Sequence, residues 1–140
     1  MKILGAILII VGFVTILIPS YYTCAAEGKA IQLPGGKTIP MKCLWTARAE
    51  MGIGAMVLLV GFLLLISRNL ESRKFLSLCA FGLGILIVLF PTTLVGVCAN
   101  PEMPCISIMK PILFLTGFIT GASGIIGTLW NHFKVPESQA

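Results

Sequence analysis

The stretch Val97–Pro111, VCANPEMPCISIMKP, decides how the chain folds. It gathers Cys, Met, Pro and an acid into one polar segment, and it separates two long apolar runs. A shorter counterpart, Pro40–Trp45 (PMKCLW), separates the two apolar runs of the first half. A helix needs roughly 20 apolar residues to cross the hydrocarbon core of a bilayer. Four such runs with three interruptions predict an all-α integral membrane four-helix bundle. It is built of two tandem helix-hairpins with two short, cysteine-containing extracytoplasmic loops.

Composition points the same way. The 140 residues are 57% hydrophobic and 11% charged, whereas a soluble domain carries about 25% charged residues. A water-facing surface cannot be made from so few charges. We expect a single transmembrane domain over residues 1–140, with helices at about 3–22, 47–67, 75–96 and 111–131 and loops 23–46 and 97–110 outside. The net charge of +5 does not indicate nucleic acid, because the ten Lys and Arg residues are scattered among helix ends. Basic helix ends facing a lipid bilayer account for it.

The first run, Ile3–Ile18, exceeds the usual length of a signal-peptide core, and Tyr21–Tyr22 follow as interfacial anchors. We read it as an uncleaved helix. In the first loop, Gly35–Gly36 can close a small β-hairpin between Ala30–Leu33 and Lys37–Ile39. Gly52, Gly54, Ala55 and Gly61 give the second helix small-residue faces, as Gly82 and Gly84 do for the third. Ser67–Lys74 (SRNLESRK) is the expected connection between the hairpins. Pro91 is expected to kink or break the third helix, and Pro111 to sit in the first turn of the fourth. Gly117, Gly121, Gly124 and Gly127 suit close helix packing in that fourth helix. Cys79 reads as a packing residue, and His132 as an interfacial one.

Lys and Arg divide five against five between the two sides, so the positive-inside rule leaves orientation open. Four of the five cysteines lie in the two loops, and paired cysteines persist in oxidising compartments. That places the loops outside and the termini in the cytoplasm of a multi-pass cell-membrane protein. The halves also share one order: a proline (Pro19, Pro91), a cysteine (Cys24, Cys98), a Met-x-Cys (Met41–Cys43, Met103–Cys105) and a glycine-rich helix. This suggests an internal repeat about an axis along the membrane normal.

The loops carry what chemistry there is. Cys24, Cys43, Cys98 and Cys105 are disulfide candidates, and pairing Cys24 with Cys43 and Cys98 with Cys105 is the simplest of three connectivities. Alternatively, Met41, Cys43, Cys98, Met103, Cys105 and Met109 form a soft ligand set of the kind that selects copper(I). Thiol–disulfide exchange lacks the C-x-x-C pair it needs. No catalytic constellation is present, so we expect no enzyme and no obligatory cofactor. Arg48, Glu50, Glu102 and Lys110 form an expected interfacial charge cluster, with Arg48 and Glu50 on different sides of their helix. Arg48 is expected to reach the second loop and hold Glu102 or its backbone carbonyls. No ionisable residue is expected at mid-helix to mark a solute pathway.

At these loops the chain resembles a family of short bacterial and archaeal membrane proteins of unknown function. The resemblance is carried by Met41-Lys42-Cys43 with Thr46–Glu50, and by Cys98–Cys105 with Met109-Lys110-Pro111. It covers nearly the whole chain and implies no activity. It implies a histidine at the position of Leu44, and the leucine here weakens a metal reading. The resemblance also implies an ABC-type permease as the kind of partner to expect. The expected function is therefore a non-catalytic accessory or assembly protein, a partner of a larger membrane complex or a homo-oligomer. The alternative is extracytoplasmic copper binding or thiol redox work in the Met/Cys loops.

Overall fold

A computed structural model of the chain describes residues 2–22, 31–32, 34–36, 38–39, 42–96 and 105–134. Four helices dominate: α1 (Lys2–Tyr21), α2 (Lys42–Ile66), α3 (Leu70–Leu89) and α4 (Lys110–Lys134). Between α1 and α2 lie two short strands, β1 (Ile31–Gln32) and β2 (Thr38–Ile39), paired antiparallel with Ile31 opposite Ile39. Gly35 and Gly36 hold the turn with φ of 138° and 76°, a region closed to most side chains, which is why glycine stands there. Each of the four helical segments is long and apolar enough to cross a membrane.

Two helices, α2 and α3, each begin five residues earlier than their apolar runs suggest. Lys42 starts α2 five residues ahead of Ala47, because Cys43, Thr46 and Ala47 already face the core and reward helical geometry there. Only residues 67–69 separate α2 from α3. Glu71 sits in the first turn of α3, where an acid complements the helix dipole, and Arg73 Nε donates to the Ser67 carbonyl at 2.8 Å. A π-helical turn, Cys105–Met109, leads directly into α4.

Pro91 acts as its chemistry requires. Having no N–H, it breaks the regular ladder, and α3 widens into a π-helical turn at Phe90–Leu94. There Phe90 O accepts from Val95 N–H at 3.2 Å and from Gly96 N–H at 3.1 Å. Pro19 is tolerated inside α1, which runs two residues further to Tyr21.

The helices form two tight antiparallel hairpins, α1 with α2 and α3 with α4, and each hairpin leans on the other through α2–α3 and α1–α4. Glycine makes the hairpins tight. A methyl added to Gly54 would lie 2.8 Å from Ile16 Cγ1, and one on Gly61 would lie 3.1 Å from the Gly5 carbonyl. The α3–α4 contact is closer still: a methyl on Gly84 would lie 2.5 Å from Gly121 N, and one on Gly124 would lie 2.5 Å from Phe81 N. These are backbone atoms that cannot swing aside. In a bilayer, where apolar burial between helices gains little, such close approach is a principal source of association. The core between the hairpins contains Leu8, Val57, Leu64, Ala80, Ile87, Met109 and Leu113.

Candidate functional site

The interior of this bundle is not uniformly apolar. Glu50 is 0% exposed, and neither carboxylate oxygen has a hydrogen-bond partner. Its position follows from the early start of α2: eight residues beyond Lys42 at 1.5 Å each place it about 12 Å into the helix. Cys43, Thr46, Glu50, Gly54 and Val57 are all buried, at spacings that share one helical face. An isolated carboxylate in an apolar medium costs on the order of tens of kcal/mol unless something compensates it.

Packing sets the register of the helices around Glu50. Thr46, one turn earlier, donates its Oγ1 hydrogen to the Gly96 carbonyl at 2.7 Å, setting α2 against the end of α3. The closest approaches of Gly117 to Val88 and Gly84 set α4 against α3. The contacts of Gly54 with Ile16 and Gly12, and of Ser20 with Met51, set α1 against α2. All of Thr15, Pro19, Ile87, Pro91 and Thr116 are buried.

Hydroxyl residues recur on the buried faces of α1 and α4. Pro19 and Pro91 offer no N–H to the carbonyls of Thr15 and Ile87, four residues before them. The hydroxyls have committed their hydrogens elsewhere: Thr15 Oγ1 donates to the Val11 carbonyl at 2.8 Å and Thr116 Oγ1 to the Leu113 carbonyl at 3.0 Å. Each oxygen keeps lone pairs but has no hydrogen to offer the carboxylate. The polar face continues down α4 through Thr120 and Ser123 to Asn131, all buried. Thr120 and Ser123 also donate to carbonyls of their own helix, at 2.8 and 2.7 Å. At the far end, Asn131 is 1% exposed and its Nδ2 has no partner.

Of the expected charge cluster, Glu50 is buried against the other helices, eight residues into α2. Arg48 is exposed, on the opposite side as its spacing requires, with its guanidinium 5.8 Å from the centre of the Trp45 ring. Lys110 is half-buried at the start of α4. Glu102 lies outside the described residues, and with it the Arg48–Glu102 pairing. Cys24, Met41, Cys98 and Met103 also lie outside them, as does the side chain of Cys105. Cys43 and Met109 are both 0% exposed at the loop end of the bundle, and Cys79 is half-buried in α3. The disulfide pairings and the six-residue copper set therefore rest on residues that are not described. Among the described residues, no group of three or more His, Cys, Asp or Glu is placed to hold a metal ion.

The reading by composition missed the face Thr116–Thr120–Ser123–Asn131. Its signal was present as hydroxyl and amide residues recurring at helical spacing on one side of an apolar run.

Outside the hairpins, the seam of α3 and α4 holds an open groove of about 360 Å³. Its lining is wholly apolar, with Phe81, Val88, Phe118 and Ile125 around Gly84, Gly117 and Gly121. Those glycines meet backbone to backbone and form the floor of the groove.

Four apolar helices around a buried polar centre define a small multi-pass membrane protein. Residues 3–130 match the family described as a domain of unknown function (DUF4418), and the chain belongs to that family. No curated protein and no solved structure matches it.

Proposed function

We propose that the protein is a membrane-embedded accessory or assembly subunit that docks a helix of a larger membrane protein and is not itself a catalyst. The apolar groove along α3 and α4 carries this reading. It offers no hydrogen-bonding group, so a polar solute gains nothing there. Its floor is the tight glycine contact of α3 with α4, and its apolar walls suit the van der Waals packing by which membrane helices associate. A concave groove is also a poor match for its own copy in a two-fold dimer, where the same surface must complement itself. A duplicated hairpin, supported by the shared order of proline, cysteine, Met-x-Cys and glycine-rich helix, accounts for the two similar halves.

Photo-crosslinking in cells tests this. A photoreactive amino acid at Phe118 or Ile125 is expected to capture one membrane protein. The same probe at Phe13 or Phe62, exposed on the other hairpin, is expected to capture none. Adducts of twice the chain mass, of lipid alone, or equal on both faces would each overturn the reading. Elemental analysis of the purified chain separates the alternative, which requires stoichiometric copper.

A further inference from the structure

We propose that Arg48 anchors one anionic phospholipid on the outer face of the α1–α2 hairpin, with the phosphodiester on the guanidinium and an acyl chain running down α2. The site lies on the hairpin away from the helix-docking groove. Arg48 stands six residues into α2, about 9 Å along the axis from Lys42. It is nearly one turn deeper than Trp45, a residue type that sits at headgroup level in membrane proteins. A cation carried below that level is costly without a counter-charge. Side chains on a helix lean toward its N-terminus, so the guanidinium reaches back up toward the headgroups.

The guanidinium is held but not satisfied. It stands 5.8 Å from the centre of the Trp45 ring, and among the described residues no carboxylate or carbonyl accepts from it. A guanidinium laid over a ring keeps its N–H donors around its edge, in the fork that takes two oxygens of a phosphate. Glu50, two residues on, points to another side of α2 and is buried. Lys42, Arg48 and Lys110 are the described cations at the loop end, and Glu50 is the only carboxylate described there. This excess of positive charge selects an anion.

The shape beside Arg48 says what kind of anion. A cleft of about 290 Å³ opens there between the end of α1 and the start of α2, walled by Pro19, Leu44, Ala47 and Met51. Ser20 and Met51 close its inner side, with the hydroxyl 3.8 Å from the sulfur. Gly52, one turn beyond Arg48, is exposed, and a methyl there would meet nothing within 4 Å. Ala55 and Met56 continue the exposed face toward the bilayer centre. A cation above and an open apolar track below match the two ends of a phospholipid, whereas a soluble anion would use only the first. A zwitterionic lipid carries its own cation beside the phosphate, in competition with Arg48, and an anionic lipid does not. The occupant is therefore an anionic phospholipid of the leaflet on the loop side.

Native mass spectrometry of the whole purified chain tests this, with the protein released from nanodiscs of equal phosphatidylglycerol and phosphatidylcholine of matched acyl chains. One phosphatidylglycerol is expected to stay bound, in about fivefold preference, the attraction of one basic residue for an anionic headgroup surface. Arg48→Gln is expected to bring the preference close to one. Arg68→Gln, which removes an exposed cation at the opposite end of the bundle, is expected to leave it unchanged. Equal retention of the two lipids by the wild-type chain, a preference that survives Arg48→Gln, or an equal loss in both variants would each overturn the site. Should Arg48→Gln fail to fold, the wild-type chain decides with a phosphatidylglycerol that carries a diazirine on its acyl chain. Its adducts are expected on α2 between Leu44 and Met56, and adducts confined to other segments would overturn the site.

Discussion

The hydroxyl of Thr46 and the carbonyl of Gly96, 2.7 Å apart, join the first hairpin to the second. Thr46 is fully buried, and Gly96 follows the π-helical turn with a φ of 76°. Gly96 lies just past that turn, where its carbonyl is outside the helical ladder and is met instead by α2.

Replacing Thr46 with valine keeps the volume but removes the donor. The expected loss is about 1–2 kcal/mol, the cost of a buried acceptor left unmet. Thr46→Ser should retain most of the stability. Thermal or denaturant unfolding of the detergent-solubilised protein measures both, and equal effects of the two changes would assign the loss to packing.

The glycines separate into two classes. Gly84→Ala and Gly124→Ala press a methyl against backbone at 2.5 Å and should each cost about 1–3 kcal/mol or more. Gly52→Ala and Gly82→Ala meet nothing within 4 Å and should be neutral or gain up to about 1 kcal/mol of helix propensity. The four unfolding midpoints check the ordering.

Arg48 stacks on Trp45 at the exposed edge of α2. Exposed cation–π contacts are worth about 0.5–1 kcal/mol, so Arg48→Ala and Trp45→Ala should each destabilise by that amount. A double mutant that costs no more than either single change would confirm the coupling. A much larger loss for Arg48→Ala alone would show that the guanidinium also holds the second loop.

Orientation is decided by labelling. Gly35→Cys, in the turn between β1 and β2, should react in intact cells with a maleimide that cannot cross membranes. Asn69→Cys, between α2 and α3, should react only after the cells are opened. The reverse pattern would place the loops in the cytoplasm.

Much of this fold was legible from residue order alone. The four spans follow from apolar length, the β-hairpin from Gly35–Gly36, and the break in α3 from Pro91. The burial of Glu50 was not legible, for a definite reason. Hydropathy starts the second helix at Ala47, which leaves Glu50 in the first turn at the interface. Lys42 starts it in fact, because helix formation depends on the core-facing Cys43, Thr46 and Ala47 more than on continuous hydrophobicity. Five residues of extension carry the acid more than a turn deeper.

The division into two hairpins also bears on how the chain matures. The first hairpin leaves the ribosome complete, with its glycine contacts between α1 and α2 able to close at once. Its inner stripe, Thr46 and Glu50 included, then faces lipid until α3 and α4 arrive. An acid exposed to acyl chains is a strong incentive to capture the second hairpin, and it marks a half-made protein as unfinished. The acid that the finished bundle buries is thus costly to leave against acyl chains while the second hairpin is absent.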